Sequence, residues 1–254
     1  MTMQPLIKLH DGRLMPQLGL GVWQASIQET ELAVSKALKA AAVARDELFI
    51  TTKLWNDDQH NPQQALETSL QKLQLDYIDL YLIHWPDPKQ DHYVSAWREL
   101  VTLKEQGLIR SIGVCNFHIP HLQRLIDETG IAPTVNQIEL HPLLQQRQLH
   151  AWNATHHIAT ESWSPLAQGG KGVFDQEIIR KLAQQYNKTP AQIVIRWHLD
   201  SGLIVIPKSV TPARIRENFE VFDFKLQKEE LLAITKLDCG KRLGPDPEVF
   251  GSDR

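Results

Sequence analysis

The chain has 254 residues, 22% of them charged, with a formal net charge of -3. That balance leaves no basic surplus for nucleic acid, and no apolar run is long enough to span a bilayer. The length suffices for one large α/β domain or two small ones. Cys115 and Cys239 are the only cysteines and cannot frame a disulfide-rich fold, so a reducing cytoplasm is the expected compartment. Met1-Thr2-Met3-Gln4-Pro5 lacks the basic-then-apolar pattern of an export signal. The glycosylation-type triplets at Asn153 and Asn187 are therefore read as chance.

In chain order, Leu6 to Leu18 reads as a hairpin turning at Asp11-Gly12. Short apolar strands then alternate with amphipathic helices. Strands are predicted at 18–23, 48–55, 78–84, 111–117, 134–140, 160–166 and 203–207. Helices are predicted at 29–40, 62–73, 93–106, 119–129, 145–155, 176–186, 190–200, 212–219 and 228–237. Asn61-Pro62, Thr189-Pro190 and Thr211-Pro212 place proline at the first helical position, where its missing N–H costs nothing. No Ser/Gly-rich linker interrupts the series, so residues 1–254 read as one domain. Repeated β-α units imply an α/β fold with a parallel sheet, either open and doubly wound or closed as a barrel. A barrel wants eight strands, and seven are found. Between strand 18–23 and strand 48–55 stands a single helix pattern, so a β-α unit of roughly 20–25 residues is missing there.

Two strand ends carry chemistry. Phe49, Thr51, Lys53 and Trp55 share one face by two-residue alternation, and Ile78, Leu80, Leu82 and His84 share another. Barrel enzymes keep their reactive groups at the C-terminal ends of strands. A lysine in line with buried positions is costly unless something uses or pairs it. Lys53 has Thr, Leu and Trp as neighbours, which fits a snorkelling surface lysine poorly. A lone His84 reads more simply as a core histidine; the pair points to an active site.

Five segments together resemble the aldo-keto reductases, and most closely the bacterial diketo-gluconate reductases. They are Met15-Pro16-Gln17-Leu18-Gly19-Leu20-Gly21-Val22-Trp23, Thr51-Thr52-Lys53-Leu54-Trp55, the run from Asp76 to Pro86, the run from Gly107 to Phe117, and Ile206-Pro207-Lys208-Ser209-Val210. The resemblance covers nearly the whole chain. It implies a (β/α)8 TIM barrel capped by the N-terminal hairpin, an NADPH cofactor, and reduction of small polar ketones and aldehydes. Diketo sugar acids, methylglyoxal and β-keto esters are the implied substrates. A monomer is expected.

That family acts through a tetrad of Asp, Tyr, Lys and His. Lys53 and His84 match two members as catalytic residues. The aspartate and tyrosine, carried by the family on the second barrel strand and the loop after it, do not appear. Here Ser35-Lys36-Ala37-Leu38 runs on to Ala41-Ala42-Val43. A barrel with one strand cut out exposes two unpaired edges. The expressed polypeptide is therefore expected to contain the second unit near Ser35 to Ala44. None of the four tyrosines substitutes. Tyr77 and Tyr81 share the strand face opposite His84, and Tyr93 and Tyr186 sit in helical patterns.

Gly19-x-Gly21 lacks a third glycine, and Gly169-Gly170-Lys171-Gly172 fails as a P-loop, so neither is a dinucleotide fingerprint. Lys208-Ser209-Val210-Thr211-Pro212 instead joins a strand end to a helix start, with Arg214 in the first turn. Backbone N–H groups there favour an anion, and the two cations suit an adenosine 2′-phosphate, hence NADP. By resemblance, Asn116 and Gln137 hold the nicotinamide carboxamide and Trp163 stacks on its ring. Ser164, Leu166, Gln168 and Gly169 line the pyrophosphate, Glu217 and Asn218 lie near the adenine, and Gly21 and Trp23 border the cofactor. Trp23, Trp55, His84 and Trp85 are the implied substrate contacts. Cys115 stands where the family usually has serine, which weakens one contact. No metal is expected.

Two other readings stay open. One is an NADP(H)-binding, redox-sensing protein without turnover, should the tyrosine be truly absent. The other is a barrel lyase or aldolase using Lys53 as a Schiff base, which the spacing of Lys53 and His84 does not favour.

Overall fold

The computed structural model describes residues 4–22 and 44–251. β1 (Leu6–Lys8) and β2 (Leu14–Pro16) form an antiparallel hairpin, with Leu6 opposite Pro16. Its turn closes through Gly12 N–H donating to Leu9 O at 2.9 Å, and Gly12 takes a φ of 89°, which a side chain would resist. The Asp-Gly turn is thus as predicted.

Six parallel strands follow in the order β3 (Thr51–Leu54), β4 (Ile78–Ile83), β5 (Ile109–Cys115), β6 (Val135–Glu139), β7 (Ala159–Trp163) and β8 (Ile204–Val205). Neighbours in sequence are neighbours in space throughout. A further stave lies beside β8, where Leu18 bridges Val205 and Gly21 bridges Lys208, both in parallel. Gly21 is needed there, because a Cβ would come within 2.8 Å of Ile206 O. Among the described residues the sheet does not close between this stave and β3. The expected second β-α unit is not in the chain, whose 254 residues run straight from Ala40 to Ala41.

Between the strands run α1 (Pro62–Leu73), α2 (Tyr93–Glu105), α3 (Ile119–Thr129), α4 (Arg147–Thr155), α5 (Glu177–Tyr186), α6 (Pro190–Asp200), α7 (Pro212–Phe219) and α8 (Lys228–Thr235). Asn61 caps α1 and Thr189 caps α6, each side chain accepting from a backbone N–H three residues on. The helix expected at 29–40 lies outside the described residues, as does Trp23. Two predicted strands end early. Strand 111–117 stops at Cys115 because Asn116 turns left-handed with φ 65°, and strand 160–166 stops at Trp163 because Ser164 does so with φ 47°.

Alternation divides the core into two layers. Leu54, Tyr81, Ile83 and Val114 face the helices with Trp97, Leu100 and Phe117. Leu80, Leu82, Cys115, Val135 and Ile204 face inward, where Leu9 and Met15 of the hairpin plug the barrel. Each such side chain, fully buried, contributes about 1.5–3 kcal/mol. Polar bonds seat the plug: Ser111 Oγ donates to Asp11 at 2.7 Å, and Gln17 Nε2 donates to Leu199 O and Leu203 O. Ser111 lies near the start of β5, so the hairpin closes the N-terminal end and leaves the C-terminal end for chemistry.

Candidate active site

Five strand ends converge at that mouth. Lys53 lies on β3, pointing inward while Leu54 points out. His84 follows β4, its N–H donating to Leu54 O at 3.0 Å. Asn116 follows β5, its left-handed backbone turning a buried amide between two strand ends. Its Nδ2 donates to His84 O at 3.0 Å, and its Oδ1 accepts from Trp163 Nε1 at 2.8 Å. His84 and Trp163 are therefore held by one amide.

Burial and the neighbouring Lys53 charge push the His84 imidazolium down to about 3, so the ring is neutral near pH 7. Trp55 meets His84 edge-on at 4.9 Å, and Trp85 stacks with it at 6.2 Å. Phe250, from the C-terminal segment, packs 4.3 Å from Trp85 and completes an aromatic wall. Trp55 is 43% exposed and Trp85 only 5%, so Trp55 presents the open face. Phe250 carried no signal in the sequence, being placed by a segment without periodicity.

Inside the barrel runs a polar chain. Gln137 Nε2 donates to Glu161 Oε2 at 2.6 Å, Cys115 Sγ lies 3.5 Å from Gln137 Oε1, and Asn116 Nδ2 lies 3.2 Å from Cys115 Sγ. Burial pushes the Glu161 carboxyl up, against the Gln137 hydrogen bond and the Lys53 charge. Burial also pushes the Cys115 thiol up to about 12, against the pull of Lys53. Lys53, expected to lack any carboxylate partner without the missing strand, is thus electrically coupled to Glu161. Among the described residues it forms no ion pair. Glu161 was missed by the sequence reading, although its alternation with Trp163 marks it as inward-facing. The Gln137 amide is engaged by Glu161 through Nε2 and by Cys115 through Oε1.

After β7 the backbone coils tightly: Ser164, Ala167, Gln168, Gly169 and Gly170 all take positive φ. Such strain gathers at ligand loops. Leu166 packs into the core, leaving its backbone for any phosphate contact. Past β8, Thr211 N–H donates to Ser209 Oγ at 3.2 Å and leads into α7. Lys208 and Arg214 are exposed and, among the described residues, form no ion pair. Val210 is exposed as well. Glu217 accepts from Thr189 Oγ1 at 2.7 Å, which ties α7 to the start of α6, and Asn218 is buried.

The C-terminal segment is pinned by Glu139 at the end of β6. Its carboxylate accepts from Leu243 N–H at 2.7 Å and Gly244 N–H at 2.9 Å, with His141 Nε2 at 3.1 Å. A Cβ on Gly244 would come within 2.4 Å of Trp163, so only glycine lets the segment pass the indole.

The four tyrosines lie elsewhere, as expected. Tyr81 is buried in the outer layer, Tyr77 stacks under Arg45 and Arg110, Tyr93 packs on Phe117, and Tyr186 donates to Glu230.

A lysine, a neutral histidine and an amide-held tryptophan thus meet at the C-terminal ends of the parallel strands. The chain belongs to the aldo/keto reductase family, whose model matches residues 25–238, and so to a class of NADPH-using enzymes with a (β/α)8 fold. It is 91% identical to methylglyoxal reductase DkgA of Yersinia pestis over 277 positions, covering 100% of both chains. The protein of the same name from Escherichia coli is 67% identical, over 97% of this chain and 98% of that one. Among solved structures, a mutant of Gox0644 in complex with NADPH is 45% identical with a TM-score of 0.92, covering 98% of this chain and 100% of the other.

The first alignment also measures the gap. Its 277 positions meet 254 residues here, a shortfall of about 23 (277 less 254). Even perfect agreement elsewhere would cap identity at 254 in 277, about 92%, and the match stands at 91%. Outside the gap the two chains are nearly the same, so no set of compensating substitutions accompanies the loss.

Proposed function

We propose that the chain is an NADPH-dependent reductase of small polar ketones and aldehydes, with methylglyoxal and 2,5-diketo-D-gluconate (to 2-keto-L-gulonate) as candidate substrates, and that its chemical step is slow. The observation that carries this reading is the single amide of Asn116, which couples His84 to Trp163. One residue orients a carbonyl and the other supports a nicotinamide ring, so substrate and cofactor meet across it. The names of the DkgA relatives support the substrate class, and the NADPH complex of Gox0644 supports the cofactor.

The residues present fit the cofactor. The coil from Ser164 to Gly170, five of whose residues take positive φ, offers backbone N–H groups such as those of Gln168 and Gly169 for a pyrophosphate, and Lys208 and Arg214, exposed and without an ion pair among the described residues, are cations for a 2′-phosphate. NADPH, when bound, supplies the hydride. His84, neutral, donates its remaining ring N–H to the carbonyl oxygen and orients it. Trp55, Trp85 and Phe250 exclude water from the reacting face. The absent tyrosine removes the family's proton donor, and a general acid contributes about 100- to 10,000-fold. Turnover below that of the Yersinia pestis relative by a factor in that range is the expected result. We place the protein in the cytoplasm as a monomer, in keeping with its free cysteines.

The second reading, NADP(H) binding without turnover, is favoured by the distance of all four tyrosines from the mouth. NADPH consumption with methylglyoxal and with 2,5-diketo-D-gluconate, alongside quenching of tryptophan fluorescence, separates the two. Quenching with no consumption of NADPH leaves only the binding reading, and the absence of quenching sinks both.

A further inference from the structure

We propose that Glu248 is a positioning residue for the substrate: clasped by His118 and His121, it sets Phe250 against Trp85 and so fixes the affinity for carbonyls with an apolar flank. The inference rests on the reductase reading above and deepens it on the substrate side.

The clasp is built by the stretch from Asn116 to His121, which leaves β5 and opens α3. Its backbone is riveted to β6, with Asn136 Nδ2 donating to Phe117 O at 2.9 Å and Phe117 N–H donating to Asn136 Oδ1 at 3.4 Å. His121 is buried, edge-on to Phe117 at 5.9 Å and to Tyr93 at 6.1 Å. Burial first, with the His118 and Arg124 charges, holds its imidazolium below the ordinary histidine value against the pull of Glu248. Its Nδ1 accepts from His118 N–H at 3.2 Å, so the proton of the neutral ring sits on Nε2, which faces Glu248 Oε2 at 3.7 Å. The His118 ring stacks on it at 6.0 Å and brings its own Nδ1 to 2.6 Å from Glu248 Oε1. An ionised carboxylate only accepts, so His118 Nδ1 is the donor there. Arg124, on the same helix, is engaged by Asp91 and Glu128 instead. The segment that begins with Asn116, which holds His84 and Trp163, therefore holds the C-terminal segment too.

A fixed carboxylate at 248 fixes the ring at 250. Asp246 O accepts from Val249 N–H at 3.2 Å and from Phe250 N–H at 3.0 Å, and Asp246 Oδ1 accepts from Glu248 N–H at 3.0 Å. Residues 246–250 are thus one hydrogen-bonded turn. Val249 is 70% exposed and anchors little, so Glu248 supplies the fastening nearest the ring. Phe250 lies 4.3 Å from Trp85 and 6.5 Å from Trp55, and Trp55 meets His84 at 4.9 Å. With His84 on the carbonyl oxygen, the group flanking the carbonyl meets aromatic surface. Such a surface suits a methyl or phenyl group better than a hydroxylated chain, whose hydroxyls would lose water without gaining partners.

The test uses the full chain in five forms: unchanged, Glu248→Ala, Glu248→Gln, Phe250→Ala and the double variant Glu248→Ala/Phe250→Ala. The clasp is partly exposed and pairs of that kind contribute modestly, so Glu248→Ala is expected to raise KM for methylglyoxal about three- to fivefold with kcat within about twofold. The rise should be larger for phenylglyoxal than for glyceraldehyde, and equal rises would overturn the apolar flank. Glu248→Gln keeps an oxygen for the His118 N–H and should recover most of the loss. The double variant should match Phe250→Ala alone, because Glu248 acts through that ring. An unchanged KM in Glu248→Ala, or a rise that persists in full without Phe250, overturns the assignment. Binding of methylglyoxal in the presence of NADP+, read by quenching of tryptophan fluorescence, repeats the comparison without turnover. An unchanged chain that does not turn over, yet loses this binding on Glu248→Ala, overturns the reductase reading and upholds Glu248. Binding that Glu248→Ala leaves unaltered overturns Glu248 alone, and no binding by the unchanged chain overturns both.

Discussion

In the proposed step His84 orients the carbonyl without ionising. Its pKa of about 3 lies below the ordinary histidine value through burial first and the Lys53 charge second. Between the two values the unfolded chain takes up a proton that the folded one refuses, so stability falls as pH drops from about 6.5 toward 3. For the same reason kcat/KM should show no acid limb near 6.5, and a limb there would mean that the imidazolium forms in the folded site. His84→Ala should cut kcat/KM about 100-fold with NADPH affinity unchanged, read by titration beside initial rates. Collapse of both would reassign His84 to a structural role. At the other end of the proposed cofactor site, Arg214→Ala should weaken NADPH by about 1.5–3 kcal/mol, the range of a charge-assisted bond, and barely touch NADH. Equal losses for the two cofactors would dismiss the 2′-phosphate contact. The placement of Lys53 and His84 at inward-facing strand ends was legible from alternation alone. Glu161 was not singled out, because a carboxylate on an inward face shows its meaning only when the facing strand is known.

At the scale of elements, much was legible. The helices at 62–73, 119–129, 190–200 and 212–219 appear with the boundaries predicted, because a proline begins each, or follows its first residue, and limits the choice of start. Strand ends were less legible: Asn116 and Ser164 break off into left-handed backbone that alternation does not encode. The C-terminal segment was not legible at all, since it is held by pairs such as Glu139 and Leu243, 104 residues apart. That latch has a pH dependence. Burial pushes the Glu139 carboxyl up, and bonds from His141, Gly244 and Leu243 outweigh burial and leave it below the ordinary carboxylate value. A depressed carboxylate adds stability above its unfolded value, and that stability is lost as pH falls through the folded value. Glu139→Ala leaves two backbone N–H groups without their acceptor, so the segment should detach, at a cost of about 1–3 kcal/mol in its docking. With Phe250 withdrawn from Trp85, KM for methylglyoxal should rise more than kcat falls. An unchanged KM, with hydrogen exchange at residues 239–251 unaltered, would show that the latch does not hold the wall.

On the scale of the whole molecule, closure is the question. Among the described residues seven staves are present, β3 to β8 pairing in sequence order and the stave at Leu18 to Gly21 pairing with β8, yet β3 and that stave each keep one edge unpaired. Eight strands at the usual tilt close without strain; removing one leaves two rows of backbone donors and acceptors to be satisfied by other means. The missing unit was legible as a length deficit, and the alignment puts it at about 23 positions, 277 less 254. At about 0.05–0.15 kcal/mol per residue, a unit of that size carries roughly 1–3 kcal/mol, before any loss at the exposed edges. For a chain this long 1 kcal/mol moves the midpoint by about 2–4 °C. Since the Yersinia pestis relative differs in little besides the gap, it is the matched control. The chain should unfold at least about 2 °C below it, and the monomer proposed above should give way to association as concentration rises, because a free edge is a template for another strand. Calorimetry and sedimentation on the two proteins side by side decide this. Equal midpoints and a monomer at every concentration would mean that the barrel has found another way to close, and the slow chemistry proposed for a chain without the tyrosine would then stand without any penalty in stability.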